Sequence, residues 1–175
     1  MFKKLKEVIF TNYIGGEFQK NYKNHIFQSS LLFVCVSFAL LLDNLFGEII
    51  VASLGASGFI LFVTPHANSS RSRNIIGGYV CGAIGGILFG LLHNQVTGFS
   101  FPGVSYALIF ICAAASAFTT FLMVTTNMAH PPAAALALGL SADPECIKTA
   151  IAAIIGVIIL CIARRILKKY LKNLI

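Results

Sequence analysis

Charge is scarce in this chain and absent from much of its middle. Only 11% of the 175 residues are Asp, Glu, Lys or Arg, and none falls from Phe99 to Ala142. No carboxylate lies deep in an apolar run, Asp43 standing at the end of the first, which disfavours cation transport and carboxylate proton relays. There is no Gly-rich phosphate loop, no H-E-x-x-H pair and no G-x-S-x-G turn, so the usual hydrolase and metalloprotease chemistries lack their residues. The cysteines (Cys35, Cys81, Cys112, Cys146, Cys161) are scattered without a C-x-x-C pair, which argues against a disulfide framework or a zinc site. The four histidines show no paired spacing on one helix that would hold a metal or a haem. Neither a cofactor nor an enzymatic activity is expected.

What is present is apolar. The hydrophobic share is 57% and the mean hydropathy +0.85, which makes a lipid bilayer the natural solvent. Apolar runs near residues 26–42, 49–64, 75–93, 104–124, 131–142 and 147–165 give about six segments, some short or broken, of an all-α integral membrane protein. The expected organisation is a basic amino-terminal tail over 1–25, which can lie at the lipid surface, a membrane domain over 26–165 and a second basic tail over 166–175. The first residues are polar and basic with no small-residue cleavage site, so no signal peptide is expected.

The net charge of +7 does not indicate nucleic acid, because its positions follow a membrane rule. With six crossings and both tails cytoplasmic, every basic residue except Lys148 falls on one side. Six segments also divide into two sets of three, and an odd number per set inverts one half relative to the other, as in many secondary transporters. A bacterial inner membrane is the expected location.

Two features of the segments carry more detail. Gly78, Gly82, Gly86 and Gly90 recur at every fourth residue, a bare stripe suited to close helix packing; it also makes self-association an expectation. The fifth segment is short: residues 131 to 141 make a helix of about 16 Å, roughly half of the ~30 Å hydrocarbon core. Pro131 and Pro132 fit its first turn, and extended backbone before them supplies the missing length. The second segment is expected to break at Leu54–Gly58, so that two helix amino termini meet near the midplane. Such termini offer unpaired N–H groups and a partial positive charge to an anion. The candidate substrate site is therefore Gly55, Ser57, Thr126, Asn127, His130, Pro131 and Pro132, with His66, Arg71, Arg73 and Asn74 at the inner mouth.

The tripeptide His130-Pro131-Pro132, followed by "AAALAL", and the stretch "LGASGFILFVTPHANSSRSRNIIGGY", with Arg73, Asn74, Gly77 and Gly78, resemble the two signatures of the HPP family of membrane proteins. Ser72 stands where a proline often precedes the arginine, and Tyr79 where a histidine often follows the glycines. The resemblance implies a membrane domain of four to five spans, against the six read here, and a transporter, with nitrite the substrate associated with plastid and cyanobacterial relatives. The sequence thus points to a permease or channel for a small inorganic anion. The alternative is a non-transporting assembly or partner-binding module whose glycines and prolines serve packing.

Overall fold

A computed structural model describes residues 16–44, 51–96 and 106–174. These residues form helices α1 (Gly16–Asn44), α2 (Val51–Val63), α3 (Ser72–Val96), α4 (Tyr106–Thr125), α5 (Pro132–Ser141) and α6 (Cys146–Leu167), with short 3-10 turns at Asn68–Ser70 and Lys168–Tyr170. No strand occurs among the described residues. The all-α membrane architecture is as the sequence reads. The stretches Ser72–Gln95, Ala107–Thr125 and Cys146–Tyr170 are each long and apolar enough to cross a bilayer, and α2 and α5 supply shorter apolar helices. Residues 1–15, on which part of the amino-terminal tail was expected, lie outside the described residues; α1 already begins at Gly16, so residues 16–25 are its first turns.

Successive helices run in opposite directions. Leu32 and Val36 of α1 meet Gly58 of α2, Gly85 of α3 meets Thr119 of α4, and Leu54 of α2 lies against Gly156 of α6. One end of the bundle therefore carries Lys23, Arg71, Arg73, Arg164, Arg165, Lys168, Lys169 and Lys172. The opposite end carries Asp143 and the ion pair of Lys148 with Glu145 at 2.9 Å. Outward-facing positions are large and apolar: Ile147, Ile151, Ile155, Ile158, Ile162 and Ile166 form one stripe along α6. Its buried face has Thr149, Ala150, Ala153 and Gly156. Large residues outside and small ones inside suit a lipid solvent, where close backbone approach replaces the hydrophobic drive between helices.

Helix α2 corrects one expectation. It runs unbroken through Leu54–Gly58, so there is no second half-helix amino terminus at mid-depth. The small residues serve packing instead. A Cβ on Gly58 would come within 2.7 Å of Leu32 Cδ1, so glycine there lets α1 approach. An unbroken helix also keeps its backbone groups paired, which the bilayer interior demands.

The glycine stripe of α3 is the berth of α5. A Cβ would meet His130 Cβ at 2.7 Å from Gly78, the Ala133 carbonyl at 2.6 Å from Gly82, and the Leu140 carbonyl at 2.9 Å from Gly90; from Gly86 it would meet Leu140 Cβ at 2.5 Å. Helices α3 and α5 thus run parallel in near backbone contact, with α2 and α4 flanking α5. The basic end is tied by the segment after α6. Leu171 is buried, and Gln28 Nε2 donates to the carbonyls of Phe62 and Lys172 while its Oε1 accepts from Lys172 N–H. Leu174 N–H donates to the Val63 carbonyl, and Arg164 to that of Pro65. Of the carbonyls that the end of α2 leaves open, those of Phe62 and Val63 are closed by these donors.

A methyl group at Gly82 would press on the Ala133 carbonyl at 2.6 Å, whereas nothing lies within 4 Å of a Cβ at Gly55. Gly82→Ala is expected to destabilise the protein by about 1–3 kcal/mol. Gly55→Ala is expected to be neutral or to stabilise by about 0.5–1 kcal/mol through reduced chain entropy. Thermal unfolding in detergent, followed by a dye that reacts with the buried thiols as they emerge, distinguishes the two.

Candidate functional site

The break before α5 is built by local chemistry. Helix α4 ends at Thr125, and Asn127 adopts φ 54°, a left-handed conformation that asparagine tolerates better than most residues. Asn127 N–H bonds the Val124 carbonyl at 3.2 Å and Met128 N–H reaches back to Met123 at 2.9 Å, the paired bonds of a Schellman ending. Met128, Ala129 and His130 follow without helical bonds, and Pro131 (φ −51°, ψ −36°) precedes the first residue of α5.

This construction overturns the expected anion cradle. Pro131 and Pro132 have no N–H, and the next two donors are used within the turn: Ala133 N–H bonds His130 O at 2.9 Å and Ala134 N–H bonds Pro131 O at 3.0 Å. The amino terminus of α5 thus offers no unpaired backbone donor in its first turn. Nor does it start level with the middle of α3. His130 lies against Gly78, six residues into α3 and so about 9 Å along its axis from the basic end.

What the break does create is a buried polar cluster. His130 is fully buried. Its Nδ1 faces the Ser69 carbonyl at 3.3 Å and its Nε2 faces Ser57 Oγ at 2.8 Å. A carbonyl only accepts, so Nδ1 carries the proton, and in the neutral ring Nε2 accepts from the Ser57 hydroxyl. Ser57 Oγ is also 2.9 Å from Tyr79 Oη, and the Tyr79 hydroxyl, which can turn to either serine, stands 3.4 Å from Ser53 Oγ. The Tyr79 and His130 rings stack at a tilt, centroids 5.8 Å apart. Ser53 and Ser57, four residues apart, present both hydroxyls on one face of α2.

Of the expected site residues, then, Ser57 and His130 meet directly, and Pro131 and Pro132 set the backbone that holds His130. The others do not join them. Asn127 is exposed and ends α4; Thr126 bonds back to the Leu122 carbonyl at 2.6 Å; Gly55 lines a groove beside α1 with Ser29, Leu32 and Val36. At the basic end, His66 N–H bonds Asn173 Oδ1 at 3.1 Å. The Arg71 carbonyl accepts from Asn74 and Ile75 N–H, and Asn74 Nδ2 donates to Asn68 O at 3.0 Å. Arg71 and Arg73 side chains are exposed. These residues shape the turn into α3. Sequence reasoning missed Tyr79, Ser53 and Ser69. A hydroxyl in an otherwise apolar run beside Gly78, and a serine one turn before Ser57, were the available signals. No group of three or more His, Cys, Asp or Glu side chains among the described residues is placed to hold a metal.

Fold and site together define an all-helical integral membrane protein with a neutral polar cluster at a broken helix. The chain belongs to the HPP family: the family's transmembrane-region model matches residues 18–173. No curated protein and no solved structure gave a significant match.

The left-handed backbone at position 127 gives a stability test of its role. Asn127→Ala is expected to lower stability by about 1–2 kcal/mol, while Asn127→Gly, free to adopt that φ, holds it level or higher; unfolding midpoints of the two variants in one detergent decide it.

Proposed function

We propose that this protein is a permease for a small inorganic anion of the nitrite type, in a bacterial cytoplasmic membrane with the basic end toward the cytoplasm. The observation that carries the reading is the Ser57–His130–Tyr79 cluster, buried inside the bundle. Polar groups at such positions are costly and tend to mark transport paths. The helix terminus supplies no free backbone donors, so recognition falls to side-chain donors: the Ser57 and Tyr79 hydroxyls and, when protonated, the His130 ring. The exposed arginines and lysines of the basic end raise the local anion concentration at that mouth.

The chemistry favours an anion whose conjugate acid is weak. Such an ion can combine with a proton and pass the low-dielectric interior uncharged, whereas chloride or nitrate cannot do so at ordinary pH. The competing reading, an assembly or partner-binding module, leaned on the glycine stripe. Helix α5 occupies that stripe, so self-association needs another face.

Uptake into vesicles holding the purified protein is the test, with protein-free vesicles as the baseline for passive diffusion of the neutral acids. Saturable entry of nitrite or formate, stimulated by an inward proton gradient, with weak response of nitrate and chloride, is expected. His130→Gln is expected to lose the stimulation. Absence of flux for all four anions from folded protein favours the partner-binding module.

A further inference from the structure

Every lysine and arginine whose side chain is described lies at an end of the bundle, Arg164 being partly buried at the basic one. An anion within the bundle therefore has no fixed cation beside it, an expensive arrangement in a low dielectric. The interior group able to supply positive charge is His130. Its Nε2 ends a chain of hydroxyls running through Ser57 (2.8 Å), Tyr79 (2.9 Å) and Ser53 (3.4 Å). Ser53 in turn lines a small cavity of about 30 Å³, with Ala52, Gly139, Leu140 and Thr149, room for an ordered water between the two hydroxyls. Three residues beyond Leu140, the buried Asp143 keeps Oδ2 without a partner.

We propose that Ser53, Tyr79, Ser57 and His130 form a proton relay that supplies the counter-charge for anion passage; the inference rests on the permease reading. Once the Tyr79 hydroxyl has turned from Ser53 to Ser57, a proton accepted by Ser53 Oγ releases that residue's own proton to Tyr79 Oη. Tyr79 passes its own to Ser57 Oγ, and Ser57 passes its own to His130 Nε2. Each hydroxyl ends neutral and the net change is one proton on the imidazole. Transfer of the Nε2 proton to the anion forms the neutral acid, and the hydroxyls rotate back.

The geometry suits both states. With His130 neutral, Ser57 donates to Nε2 and Tyr79 to Ser57; with it charged, Nε2–H donates to Ser57, Ser57 to Tyr79 and Tyr79 to Ser53. In both, Nδ1–H stays on the Ser69 carbonyl, so no buried polar group in the chain loses its partner. Around His130, α2 contributes Ser57, the Asn68–Ser70 turn a carbonyl, and α3 the Tyr79 ring. Behind Tyr79, α6 contributes Cys161, hydrogen-bonded by Ser72, with Arg164 beyond it. The acids whose side chains are described, Asp143 and Glu145, lie at the other end, so no carboxylate among them competes for the proton beside His130.

Vesicles loaded with a pH-sensitive dye report proton entry while nitrite uptake is followed in parallel. The native protein is expected to take up protons together with nitrite. Tyr79→Phe, which keeps the ring and removes the hydroxyl, is expected to lower protons per nitrite about tenfold or more. Ser57→Thr, which retains a hydroxyl, is expected to preserve the ratio. Should Tyr79→Phe fail to fold, Ser53→Ala interrupts the same chain. Nitrite entry without protons in the native protein, or an unchanged ratio in Tyr79→Phe, overturns the relay and leaves the permease standing. No nitrite entry into vesicles with folded native protein overturns both.

Discussion

Helix α5 has 10 residues, about 15 Å of helix at 1.5 Å per residue. The chain must nevertheless pass between the two ends of the bundle there, so part of the crossing is not helical. That is permitted only where protein covers the exposed backbone. The berth on α3 meets the requirement: the stripe from Gly78 to Gly90 brings backbone against backbone, while α2 and α4 close the flanks. The rest of the site depends on this seating. It places His130 between the Ser69 carbonyl and the Ser57 hydroxyl, and so fixes which ring nitrogen holds the proton.

The same seating explains why the prolines stand where they do. At the head of α5 they remove two donors that would otherwise be unpaired, and the following two N–H groups close onto His130 and Pro131. The break is therefore satisfied as a backbone and functional only through side chains. A helix dipole remains at this terminus, but the polar groups able to meet a substrate are hydroxyls and an imidazole.

Much of this was legible in the sequence because it followed from period and spacing. Apolar run lengths gave six helices, and prolines after His130 gave the extended entry to α5. The four-residue glycine period gave a close helix contact, though not the identity of the helix that fills it. What failed did so for physical reasons. Gly55 and Gly58 looked like a break in α2, yet small residues in an apolar helix can equally admit a neighbour, and only the position of Leu32 and Val36 decides. The anion cradle failed because a proline that fits a helix start also deletes the donors on which that cradle relies. Tyr79 was noticed as a departure from the family pattern rather than as a site residue, because pairing with Ser57 depends on how α2 crosses α3. The clasp of Gln28 with Lys172 joins residues at opposite ends of the chain, a separation no local pattern encodes.

The central claim is that His130 is held with Nδ1 as donor to the chain turn and Nε2 facing Ser57. The most direct measurement is the ¹⁵N spectrum of the histidine ring nitrogens in bilayers, with the His130 signals identified by their loss in His130→Gln. The account predicts a single neutral tautomer, with the proton on Nδ1 and Nε2 as the acceptor, and a shift of the Nε2 resonance in Ser57→Ala. A proton resident on Nε2 in the neutral ring, or signals averaged between tautomers as in a water-exposed imidazole, would contradict it.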